Sequence, residues 1–254
     1  MILLKLTMAP VLIGLVSMAE RKWGASVSGL LVGLPLTGGP VLFFVTLEQG
    51  KSFSARTSVG SMMGLVALSA FAMVYARISQ AHGWQPSLLA ATGAYIVTSI
   101  LLMKLPSLSM GWAFPIACGA LSLVLLCLPR EPSLTPEFKI SSAREISLRM
   151  AMAAAIVFLL TSFASLIGPM SSGLVSIFPV YTSILAVFNH TKSSILARAV
   201  LKGVITGAFG AAVFFLIVAS ALGSTATGLC FVFATLAAVA VPALLFSCFR
   251  PANF

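Results

Sequence analysis

Aspartate is absent from the chain, and acid of any kind is scarce. Five glutamates stand against fifteen lysines and arginines in 254 residues. Those five, Glu20, Glu48, Glu131, Glu137 and Glu145, fall at the ends of hydrophobic runs or in a polar connection. A relay of buried carboxylates and a carboxylate cage for sodium are therefore not expected, and Glu20 and Glu48 read as interfacial. Histidine occurs twice, at His82 and His190, neither with a helical partner histidine, and there is no HExxH, so no metal site is predicted. The cysteines, Cys118, Cys127, Cys230 and Cys248, lie in apolar runs without CxxC spacing and read as small buried hydrophobes. Ser26 and Ser28 have no placed base to make either a nucleophile. No cofactor motif and no catalytic residue stands out, and the chain is not expected to be an enzyme.

What is abundant is apolar sequence. Only 8% of residues are charged, against about 25% in soluble domains. Hydrophobic residues make up 59%, and the mean hydropathy is +1.11. Lipid must be the solvent for most of this surface, so the bilayer is the first partner. The runs are continuous rather than alternating, which favours helices over a barrel. At ~20 residues per crossing, nine spans are predicted, near 2–19, 25–47, 56–75, 87–103, 111–128, 146–167, 170–188, 195–222 and 225–249. The first reads as a retained helix rather than a signal peptide. The fold class is thus an all-α polytopic membrane protein. A five-helix unit at 1–128 and a four-helix unit at 146–254 flank a polar connection at 129–145.

The net charge of +10 does not point to nucleic acid, because the basic residues sit between hydrophobic runs, where they fix topology. With the N-terminus outside, eleven of them face the cytoplasm and four, Lys5, Lys51, Arg56 and Lys104, do not. The positive-inside rule then predicts a periplasmic N-terminus, a cytoplasmic C-terminus and a cytoplasmic connection. Trp23, Trp84 and Trp112 fall at span ends, as interfacial anchors do.

One stretch occurs twice. GASVSGLLVGLP from Gly24 and GPMSSGLVSIFP from Gly168 share a Gly-x3-Ser-Gly-Leu-x4-Pro skeleton, each position offset by 144 residues, from Gly24 to Gly168 and Pro35 to Pro179. The offset extends backwards, with Lys5 facing Arg149 and Met8-Ala9 facing Met152-Ala153. Beyond the prolines it slips by a residue or two. There Arg56, Gly60 and Gly64 resemble Arg198, Gly203 and Gly207. Each Gly-x3-Gly is a face that another helix can approach closely. Five spans before the second copy would insert it upside down, giving the inverted-topology repeats of many secondary transporters.

The second copy, with Ser172-Gly-Leu-Val-Ser-Ile-Phe-Pro179, then Ala186 to His190, then Ala197-Arg198, resembles the GlpM-like family of small four-helix bacterial inner-membrane proteins. The resemblance covers roughly residues 146–249. The first half is a more divergent copy, with Leu34 where Phe178 stands, Gly38-Gly39-Pro40 after its proline, and an additional helix. The resemblance implies a bacterial inner-membrane location and paired units. It transfers no substrate.

Proline in mid-span removes a backbone donor and clashes with the preceding turn, so the second and seventh spans should be broken. The predicted substrate site lies at mid-membrane between the two breaks, lined by Pro35, Thr37, Gly38, Gly39, Pro179, Tyr181, Thr182 and Ser183. Half-helices starting there would turn positive dipole ends toward a ligand, which favours an anion. Lys5 and Arg149, equivalent by the repeat, either snorkel to the interface or guard opposite mouths of an anion path. The expected function is a transporter or flippase-like carrier that works by alternating access on a small anionic or lipid-linked substrate. A non-transporting scaffold or accessory subunit is the alternative. A second copy or another membrane protein is a candidate partner.

Overall fold

The computed structural model describes residues 2–36, 38–105, 108–129, 142–164 and 176–248, and the side chains of all these except 2–9, 157–164 and 245–248. Every described element is an α-helix: α1 (Ile2–Trp23), α2 (Ala25–Gly33), α3 (Gly38–Gln49), α4 (Lys51–Ile78), α5 (Trp84–Met103), α6 (Met110–Cys127), α7 (Ala143–Ala164), α8 (Val180–His190), α9 (Ser194–Ala221) and α10 (Thr227–Cys248). Six described segments are long and apolar enough to cross a membrane: α2 with α3, α4, α5, α6, α9 and residues 227–244 of α10. By length and composition the chain is a helical membrane protein.

The two 28-residue helices, α4 and α9, form the centre. A helix apolar all round belongs inside, and both bury side chains on most sides, from Met62, Phe71 and Tyr75 of α4 to Val200, Ile205 and Phe215 of α9. α6 packs against both. α5 and α10 flank the pair, α5 on α4 and α10 on α9. Their outer faces carry exposed apolar residues such as Leu89, Leu126 of α6 and Phe233, which is the lipid-facing arrangement. Ring contacts tie the flanks back: Phe231 of α10 meets Phe43 of α3 at 5.2 Å, and Tyr95 of α5 meets Phe178 at 5.3 Å.

Glycine determines two of the joints. α1 passes into α2 through Gly24 alone, at φ 87°, and α3 passes into α4 through Gly50 alone, at φ 85°. With ψ near 170° at both, this is backbone that essentially only glycine adopts. A second use of glycine is close approach. A Cβ on Gly29 would fall on the Val200 carbonyl, one on Gly33 on the Val204 carbonyl, one on Gly203 on the Ser26 carbonyl and one on Gly207 on the Leu30 carbonyl. α2 and α9 therefore touch backbone to backbone, as small-residue faces allow. Gly64 of α4 likewise faces Ile177, whose Cβ would lie 2.8 Å from an added Cβ.

Direction along the bundle follows from three contacts. Glu20 near the end of α1 meets Arg149 near the start of α7. Lys51 at the start of α4 donates to the Thr225 carbonyl, just past the end of α9, at 2.8 Å. Tyr75 near the end of α4 meets His190, just before α9, at 3.2 Å. Hence α1 runs antiparallel to α7, and α4 to α9.

Candidate functional site

The chain does break at both prolines, and the two breaks are built alike. After α2 the Leu36 amide donates to the Leu34 carbonyl across Pro35 at 2.7 Å. Before α8 the Val180 amide donates to the Phe178 carbonyl across Pro179 at 2.8 Å. Pro179, at φ −78° and ψ 54°, is the centre of an inverse γ-turn. Each proline carbonyl then accepts from the amide four residues on, Gly39 to Pro35 and Ser183 to Pro179, both at 2.8 Å. Proline thus ends one helical run and supplies the first acceptor of the next.

The breaks share one cavity of about 60 Å³. Of the expected site residues, Pro35, Gly38, Pro179, Tyr181 and Thr182 line it. Gly39 faces the Phe214 ring instead, and Ser183 is not among the lining residues. Thr37 lies outside the described residues. The walls that the sequence did not indicate are apolar: Leu34, Leu65, Leu68, Phe178, Ala211 and Phe215, with Ser176 beside them. Nothing in a hydropathy pattern separates a cavity-facing leucine of α4 from a lipid-facing one. A smaller space of about 20 Å³ lies on the α1 side, lined by Leu12, Val16, Leu36 and Tyr181 among others, so Tyr181 borders both.

This cavity exceeds the ~10–15 Å³ that one water needs on the same measure, but falls well short of the ~150 Å³ engineered cavity that takes up benzene. No described lining residue carries a charge. The N-termini of α3 and α8 open onto the space, and so does the C-terminal end of α2, through Val32 and Gly33. The two positive dipole ends are thus partly offset by a negative one.

Charge is concentrated elsewhere, at the face where α1 ends and α7 begins. Arg149 is fully buried and donates to Glu20, itself fully buried, at 2.6 Å, and to Glu145 one turn earlier at 2.6 Å. Lys192, in the turn between α8 and α9, adds a 3.0 Å pair with Glu145. Ser17 lies 3.4 Å from the guanidinium, and the Phe188 ring lies beneath it at 5.1 Å. The structure adds partners that the sequence did not indicate. Arg149 is held between two carboxylates, and Glu20 is buried where α1 and α7 meet. The Lys5 side chain is not described, so its half of the anion path lies outside the described side chains. Burial alone would raise the Glu145 carboxyl, but the hydrogen bond from Lys192 and the charge of Arg149 hold it below the usual carboxylate range. His190 is lowered, first by burial and then by the charge of Arg198.

Among the described residues no group of three or more His, Cys, Asp or Glu could hold a metal ion. No protein-family model, curated protein or solved structure matches this chain.

Proposed function

We propose that this protein is a multi-pass carrier of a bacterial inner membrane that works by alternating access on a small or lipid-linked substrate. Nine spans in two inverted repeats, a periplasmic N-terminus and a cytoplasmic C-terminus complete the reading. The observation that carries it is the meeting of Pro35 and Pro179 at one cavity. Irregular backbone at membrane depth is tolerated where protein or a water-filled space satisfies it, and carriers place their sites at such breaks between repeats.

Several features support the repeat. α4 and α9 have 28 residues each. The hydrogen bonds across Pro35 and Pro179 recur at the same offset. The approach of Gly33 to Gly207 is echoed by that of Ile177 to Gly64. The antiparallel courses of α1 with α7 and of α4 with α9 support inversion rather than simple duplication. A GlpM-like unit that paired antiparallel and then fused would produce such a chain.

The test needs no substrate. Thr182 is placed as a single cysteine in a background where Cys118, Cys127, Cys230 and Cys248 are serine. Vesicles of both orientations are then treated with a small membrane-impermeant thiol reagent. A carrier is labelled at Thr182→Cys from both sides, and Pro35→Ala with Pro179→Ala slows labelling from at least one. A scaffold that never opens is labelled from neither side, and that result in a folded, inserted protein overturns the proposal.

A further inference from the structure

We propose that the turn between α8 and α9 is a binding site for a phosphate-type oxyanion, with Arg198 as its principal ligand. This site is separate from the proline cavity and does not depend on the carrier reading. Arg198 lies one turn into α9 with 8% of its surface exposed. Its Nη1 donates to Ser194 Oγ at 3.3 Å, which fixes the guanidinium at the mouth of the helix N-terminus. Its Nε is buried and has no hydrogen-bond partner. Two buried or half-buried cations nearby, Arg149 and Lys192, are both matched by glutamates, whereas among the described residues no carboxylate pairs with Arg198.

That arrangement is unfavourable for an arginine alone. A buried cation without a counter-charge is destabilising. The N-terminal end of a helix is also the end where a cation is disfavoured and an anion favoured. The Ser193 side chain already accepts from the Ile195 amide, but the remaining helix-end amides, a guanidinium and a serine hydroxyl together form the donor set that holds phosphate at helix N-termini elsewhere. A tetrahedral oxyanion would accept from Arg198 and the helix end together and would remove the charge imbalance. It could be free inorganic phosphate or the phosphodiester of a phospholipid headgroup, since the turn lies at the end of a membrane-spanning helix.

The experiment compares wild type, Arg198→Gln, Arg198→Lys and, as a control, the exposed cation variant Lys202→Gln, all purified and delipidated in a neutral detergent. Thermal unfolding is followed while sodium phosphate is titrated against sodium chloride of equal ionic strength. Phospholipid retained by the non-delipidated protein is counted by native mass spectrometry. The expected result is saturable stabilisation of wild type by phosphate, or one tightly retained phospholipid. Either should be weakened at least tenfold in Arg198→Gln, weakened less in Arg198→Lys and unchanged in Lys202→Gln. Stabilisation by phosphate without retained lipid assigns the site to the free ion, and retained lipid without a phosphate effect assigns it to the headgroup. In phosphate-free, lipid-free buffer Arg198→Gln should be at least as stable as wild type, which a merely structural arginine would not allow. The proposal fails if Arg198→Gln is destabilised under those conditions. It also fails if wild type shows neither effect, or if Lys202→Gln loses as much as Arg198→Gln.

Discussion

Removing the charge of Glu20 while keeping its shape is the most informative single change. Among the ion pairs of the described residues, Arg149 and Lys192 carry two positive charges, and Glu20 and Glu145 two negative ones. Glu20→Gln takes one carboxylate away from a fully buried guanidinium. Stripping one partner from a buried pair costs about 3–5 kcal/mol. Because Glu145 still holds Arg149 at 2.6 Å, the loss should sit at the low end, near ~3 kcal/mol. For a chain of this size that is roughly 6–12 °C in Tm, at ~2–4 °C per kcal/mol. The assay is thermal unfolding in detergent followed by tryptophan fluorescence. The decisive companion is Glu20→Gln with Arg149→Met, which restores charge balance between Glu145 and Lys192. It should recover at least half of the loss. A shift under about 1 kcal/mol for the single change, or a double variant whose losses simply add, would refute the idea that an uncompensated charge is what Glu20 prevents.

Other expectations follow from the glycines and from pH. Gly203→Ala and Gly207→Ala push a methyl onto carbonyls of α2 and should each lower stability by about 1–3 kcal/mol. Gly119→Ala and Gly228→Ala, with nothing within 4 Å, should be neutral or stabilising by up to ~1 kcal/mol in the same melts. Gly24→Ala and Gly50→Ala meet no atoms either, yet should cost about 1–3 kcal/mol, because the φ of 87° and 85° strains any side chain. The depressed Glu145 carboxyl contributes stability above the ordinary glutamate pKa of about 4.3, and that contribution is lost as pH falls through its lower folded value. Lys192→Met should therefore flatten the acid limb of a Tm-against-pH curve, and an unchanged slope would rule out the Lys192 contact as the cause.

The breaks were legible because proline and glycine act on their own backbone. Pro35 and Pro179 mark them in one dimension, and the 144-residue offset between two like stretches already pairs them. The Gly203 and Gly207 face was legible as a face, but its partner was not, since Gly29 and Gly33 sit in a different run and nothing linear says which helices touch. The partners of Arg149 were not legible for a related reason. Distance from a helix end says how far a side chain must reach for water, but not that α1 lies across its route. Glu20 belongs to the same contact, and its pairing was equally hidden. The cavity walls Leu65, Leu68 and Phe215 are ordinary apolar residues. Only the packing of α4 and α9 around the breaks gives them a role.

The contact of α2 with α9 bears on how the molecule can move. Two helices that meet carbonyl against glycine have no side chains between them to repack, so they should shift as one piece. That piece contains chain from before and from after the polar connection. If the bundle opens, the seam cannot be the boundary between first and second halves. It has to run through each half, at the single-glycine joints and the proline breaks, so that a moving body draws chain from both sides of the polar connection.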